Sequence, residues 1–90
     1  MNRGPSSPQV LVADELVADI YRQLGYSSMQ PALLTAAEVS QVLRVKEATL
    51  RNWRTTQRPA LPYTRIGHSP MYRPRDVAAF ILFSTEGATQ

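Results

Sequence analysis

Prolines at 31, 59, 62, 70 and 74 punctuate the chain before any other property is considered. A proline in a helix interior removes a backbone hydrogen bond and clashes with the preceding turn, so these residues bound helices. Between Pro31 and Pro59, the run Thr35-Ala36-Ala37-Glu38 spells a capping box, with Thr at the N-cap and Glu three residues on. Val39, Val42 and Leu43 give the short helix that follows its apolar stripe. Arg44-Val45 forms a turn, and a second helix is predicted from about Lys46 to Thr55 or Thr56. Leu50 and Trp53 sit three apart and share its buried face, which leaves Arg51, Asn52 and Arg54 pointing elsewhere. Two short helices with a tight turn, the second bearing the polar groups, make a helix-turn-helix.

The flanks follow the same logic. Residues 1–9, with Gly4, Pro5, Ser6, Ser7 and Pro8, read as a flexible lead, although Ser7-Pro8 also suits a helix start. Ala13, Leu16, Val17, Ile20 and Leu24 line one face of an amphipathic helix over Val10–Leu24, with Gly25 as its stop. Its outer face is acidic and would be repelled by phosphate. It either packs on the following domain or makes contacts between protomers. Tyr26 to Leu34 is a connector, anchored to the core by Leu33 and Leu34. Beyond Pro62, Tyr63-Thr64-Arg65-Ile66 reads as a strand, Gly67-His68-Ser69-Pro70 as a turn and Met71-Tyr72-Arg73 as the returning strand. Such a two-stranded ribbon must lean on the helices. Pro74 and Asp76 open a last helix with Val77, Phe80 and Ile81 inward. The expected fold is mainly α with a small β-wing: a winged helix-turn-helix over 34–83, preceded by a helix and connector over 10–33 and followed by a polar tail over 84–90.

Charge is unevenly distributed. Residues 1–34 carry −1 and the last ten −1, but residues 35–80 carry +5, from Arg44, Lys46, Arg51, Arg54, Arg58, Arg65, Arg73 and Arg75 against Glu38, Glu47 and Asp76. A positive field confined to the middle is the footprint of a nucleic-acid binder, and arginine predominates, the residue suited to planar phosphate and base recognition.

The segments Leu34-Thr35-Ala36-Ala37-Glu38-Val39, Val45, Thr49-Leu50-Arg51-Asn52-Trp53-Arg54, Leu61-Pro62-Tyr63-Thr64-Arg65-Ile66-Gly67, Tyr72-Arg73 and Asp76-Val77 together resemble the excisionase branch of the MerR-like winged-helix family. The resemblance covers about half of the chain. It implies a small DNA-binding protein of a phage, prophage or integrative element. Many members are excisionases, or recombination directionality factors. They bind adjacent sites at an attachment region, bend the DNA and favour excision by a partner integrase. Others are prophage-type transcriptional regulators. Two features depart from the family pattern. Arg44 stands where the helix–helix turn usually has glycine, and the wing tip has His68, Ser69 and Pro70 where basic residues are common.

Arg51 and Asn52 are the expected base readers, since their forked donors match guanine and adenine edges. Lys46 either reaches a phosphate or is solvated. Glu47 either accepts from a cytosine amino group or pairs with Arg51 one turn on. Thr49 caps a phosphate or buries its methyl. Arg54 and Arg65 are expected on phosphates, as is Arg73 more weakly, and His68 and Ser69 lie at the wing tip. Trp53 is expected in the core rather than as a stacking platform.

Other function classes find no support. With no cysteine and one histidine there is neither a disulfide framework nor a metal site, and no cofactor is expected. No catalytic constellation surrounds any serine, and the scattered glycines make no phosphate-cradling loop, so no enzyme is expected. No apolar run spans a bilayer, the N-terminus lacks a signal peptide's apolar stretch, and a cytoplasmic location (bacterial cytoplasm or nucleoid) is expected. The expected partners are double-stranded DNA, further copies along that DNA, and a tyrosine or serine integrase. The alternatives are a transcriptional regulator using the same surface and a protein-binding antiactivator.

Overall fold

In the computed structural model, which describes residues 8–84, the element order is α1 (Pro8–Gln23), β1 (Leu34–Thr35), α2 (Ala36–Leu43), α3 (Glu47–Thr56), β2 (Thr64–Ile66), β3 (Ser69–Tyr72) and α4 (Pro74–Ser84). Four helices thus accompany one three-stranded antiparallel sheet of order β1-β3-β2. Residues 1–7 of the expected lead and 85–90 of the tail lie outside the described residues. The lead is shorter than expected, because α1 already begins at Pro8. Proline suits a first helical position, whose N–H would have no partner in any case. Ser84 belongs to α4 rather than to the tail.

Each boundary has a local cause. Thr35 caps α2 in both directions: its Oγ1 accepts from the Glu38 N–H at 3.1 Å, and its own N–H donates to Glu38 Oε1 at 2.9 Å. Arg44 ends the helix in the left-handed conformation, φ 61°, and the Val45 N–H returns to the Ser40 carbonyl. Gln57 ends α3 the same way, at φ 60°. Gly25, at φ 91°, closes α1, a position where the missing Cβ is useful.

The sheet is where the structure departs most from the expected ribbon. The connector's last residue, Leu34, is a strand residue paired with Tyr72, and Thr35 is paired with Met71. β3 is therefore central rather than one of two. The hairpin itself is tighter than expected: Ile66 faces Ser69, leaving only Gly67-His68 as the loop, with Gly67 at φ 65°. A glycine in that conformation at the first loop position matches the twist of the strands. Ser69 and Pro70 lie in β3, while Tyr63 and Arg73 fall just outside the strands. Pro70 is tolerated there because the pair flanking a two-residue turn is the hydrogen-bonded one. The next residue therefore directs its nitrogen away from β2, on the side where β1 has ended at Met71.

The core is Ile20, Tyr21, Leu34, Val39, Leu50, Leu61, Tyr72, Val77 and Ala78, and none of the described polar or charged residues is buried. Every helix contributes to it. α1 packs along α4, and Arg75 reaches back to Asp14 at 2.6 Å. Of the apolar face expected on α1, Ile20 is buried and Leu16, Val17 and Leu24 are half-buried. Tyr21 is buried too and donates to the Pro31 carbonyl, fastening the connector. Trp53 lies half-buried against Phe80, ring centroids 5.5 Å apart, which places it on the core side of α3. In α4, Pro74 and Ala78 join Val77 as buried residues, with Phe80 and Ile81 half-buried.

Candidate nucleic-acid interface

On a helix advancing about 100° per residue, positions three and four apart form a stripe. Arg51, Arg54 and Thr55 form such a stripe on α3, and it faces the hairpin. On the hairpin side, Tyr63 and Arg65 are two apart in extended backbone and so project to one side. The five residues line one open concavity, and none of them is acidic.

Arg54 is the most constrained of its cations. It is half-buried, and its Nη1 donates to the Tyr72 hydroxyl at 2.7 Å. Tyr72 is only 1 % exposed, so the anchor is fixed by the core. The Arg54 guanidinium also lies 5.8 Å from the centre of the Tyr63 ring, and the Arg65 guanidinium lies at the same distance from that ring. Tyr63 in turn packs on Tyr72, centroids 6.1 Å apart. Tyr63 thus lies at cation–π distance from both positive charges, and Tyr72 supports its ring from the core. Arg51 completes the concavity from the exposed surface of α3.

The other expected contact residues are distributed around this feature. Asn52 is exposed and outside the concavity, and its side-chain amide makes no hydrogen bond among the described residues. Lys46 is the exposed N-cap residue of α3, with no side-chain cap bond. Thr49 is half-buried on the first turn. Glu47 is exposed, and the expected pair with Arg51 does not form. The described ion pairs are Arg22–Asp19, Arg73–Asp76 and Arg75–Asp14. Two exposed side chains gain little from such a pair and lose rotamer freedom. His68 occupies the hairpin loop, and Ser69 is the first residue of β3, both exposed. Arg73 stands apart. It lies 3.9 Å from Asp76 and lines a different depression, with Asp14, Val17 and Tyr21 of α1.

Compared with family models, curated proteins and solved structures, the chain matches none. Sequence reasoning missed Tyr63, Tyr72 and Thr55 as parts of the site. The spacing of Thr55 from Arg51 and of Tyr63 from Arg65 carried the signal for two of them. Tyr72 could be found only from the fold.

Among the described residues no group of three or more His, Asp or Glu side chains is placed to hold a metal ion, and no helix is long and apolar enough to cross a membrane.

Proposed function

We propose that the chain is a winged helix-turn-helix protein that binds duplex DNA, with α2 and α3 as the helix-turn-helix, α3 in the major groove and the β2–β3 hairpin as the wing. The single observation that carries this reading is the convergence of Arg51, Arg54 and Arg65 on one concavity without a carboxylate. Cations gathered this way repel one another, and a polyanion is the partner that offsets the repulsion. Lys46, at the N-cap of α3, and Asn52, about 100° round the helix from Arg51, are further exposed polar side chains of this segment. Asp14, Glu15 and Asp19 belong to α1, which packs on α4, and Glu47 is the single carboxylate of α3.

Within DNA binding, the proposed role is that of an excisionase: loading on adjacent sites at an attachment region, bending them and favouring excision by an integrase. One domain this small reaches few base pairs, so useful affinity requires several copies side by side. The test has two parts. Gel shifts on attachment-region duplexes, repeated across salt, should give stepwise complexes whose affinity falls steeply as salt rises. Deleting the gene should abolish or strongly reduce excision of the parent element. Unchanged excision together with a footprint confined to a promoter would make the protein a transcriptional regulator instead. Binding that ignores salt would remove the DNA reading altogether.

A further inference from the structure

The three guanidiniums do not contribute in the same way as Asn52, although Arg51 and Asn52 are neighbours in sequence. Arg51 lines the concavity with Arg54 and Thr55, its partners one turn on. Asn52 lies about 100° further round α3, outside it. With α3 in the major groove, as proposed above, a side chain reading base edges lies toward the groove floor, and one on the flank toward the hairpin is placed for the sugar-phosphate strand that borders the groove. We infer that Arg51, Arg54 and Arg65 form a single seat for a DNA backbone phosphodiester, that Tyr72 holds Arg54 in position for it, and that base reading on this face falls to Asn52. This inference rests on the DNA-binding reading above and divides the labour within it.

The geometry favours a preformed seat. The Tyr72 hydroxyl takes one N–H of Arg54, and the other donors of that guanidinium have no hydrogen-bond acceptor among the described residues. Tyr63 lies at cation–π distance from both Arg54 and Arg65, so one ring supports both guanidiniums at the concavity. Three guanidiniums lining one concavity can direct several N–H donors onto the oxygens of one phosphate. Tyr72 is a positioning residue here: its buried hydroxyl acts through Arg54.

The experiment combines two measurements on the full chain. First, duplex binding is titrated across salt for the wild type, R51A, R65A, N52A and Y72F, on a target and on duplexes with single base-pair changes. R51A and R65A should each lower affinity equally on every duplex and reduce the slope of log affinity against log salt by about 0.9. N52A should flatten the preference at one base pair and leave the slope unchanged. Y72F should weaken binding several-fold with the base preferences intact. Second, arginine Nε–Hε resonances are followed as inorganic phosphate replaces chloride at constant ionic strength. Those of Arg51, Arg54 and Arg65 should shift together, and the Arg54 shift should shrink in Y72F.

An R51A protein that loses discrimination at one base pair while keeping the wild-type salt slope would make Arg51 a base reader and overturn the inference. So would phosphate that leaves the three resonances unmoved. A wild type that binds no duplex would instead sink the DNA reading. The phosphate shifts would then decide on their own whether the seat exists as an anion site.

Discussion

The Nη1 of Arg54, in α3, donates to the hydroxyl of Tyr72, in the central strand, at 2.7 Å. Those two residues join the helix that carries the exposed polar surface to the sheet that carries the hairpin, and Tyr72 is also paired with Leu34 in the core. A hydrogen bond with one charged partner contributes about 1.5–3 kcal/mol when well shielded, and less here because Arg54 is only half-buried. Tyr72→Phe is therefore expected to cost about 1 kcal/mol of stability, measured by urea unfolding. A double-mutant cycle with Arg54→Met should show coupling of about 0.5–1 kcal/mol. Strict additivity would mean that the two groups do not communicate in solution.

Arg44 supplies a second expectation. It turns the chain from α2 into α3 at φ 61°, a conformation that costs a side-chain-bearing residue roughly 1–2 kcal/mol. Glycine relieves that cost but gives up some of the gain through its freer unfolded chain. Arg44→Gly should raise stability by about 0.5–1 kcal/mol, visible as a higher midpoint of urea unfolding. A destabilised variant would show that the Arg44 side chain earns its place by a contact rather than tolerating its backbone.

Glu38 gives the fold a pH dependence. Partial burial pushes its carboxyl pKa up, but hydrogen bonds from Tyr26 and from the backbone and hydroxyl of Thr35 outweigh that, and the net position is below its ordinary value of 4.5. The unfolded chain then binds the proton more readily than the folded one. The contribution is complete above the unfolded pKa and is lost as pH falls through the lower folded one. In Glu38→Gln that portion of the acid slope should vanish, and the two stabilities should draw together as pH falls through the lowered carboxyl pKa of the folded protein. Equal acid slopes in both proteins would place the titrating group elsewhere.

Much of this was legible because the signals are local. Thr35 and Glu38 are three residues apart, Pro74 opens α4, and Gly67 sits at the hairpin loop. The third strand was not legible. Leu34–Thr35 is too short to show an alternation, and Thr35 advertises its role as a cap more loudly than its pairing with Met71. Arg54 shows the same limit at the site. Its charge and helical position were plain, but its attachment to a hydroxyl 18 residues on depends on how the sheet closes against α3. Arg73 likewise looked like a member of the ribbon, yet it lies past the end of β3, beside Asp76 and α1.

Lys46 breaks a local rule, and the breakage is measurable. It occupies the N-cap of α3, where Ser, Thr, Asp or Asn would satisfy a backbone N–H, and it makes no such bond. Its positive charge also faces the positive end of the helix dipole. Both effects disfavour lysine, so Lys46→Ser should stabilise the protein by about 1 kcal/mol in urea unfolding. Under the proposed function the cost is recovered on DNA. An exposed ammonium at the tip of a helix entering the major groove meets the backbone, together with the N–H groups that serine would otherwise cap. The same variant should therefore bind target and non-target duplexes more weakly to the same degree, with the salt slope reduced by about 0.9. Gain of stability with unchanged binding would leave Lys46 as a solvated residue and shift the backbone contacts of α3 toward its hairpin-facing side.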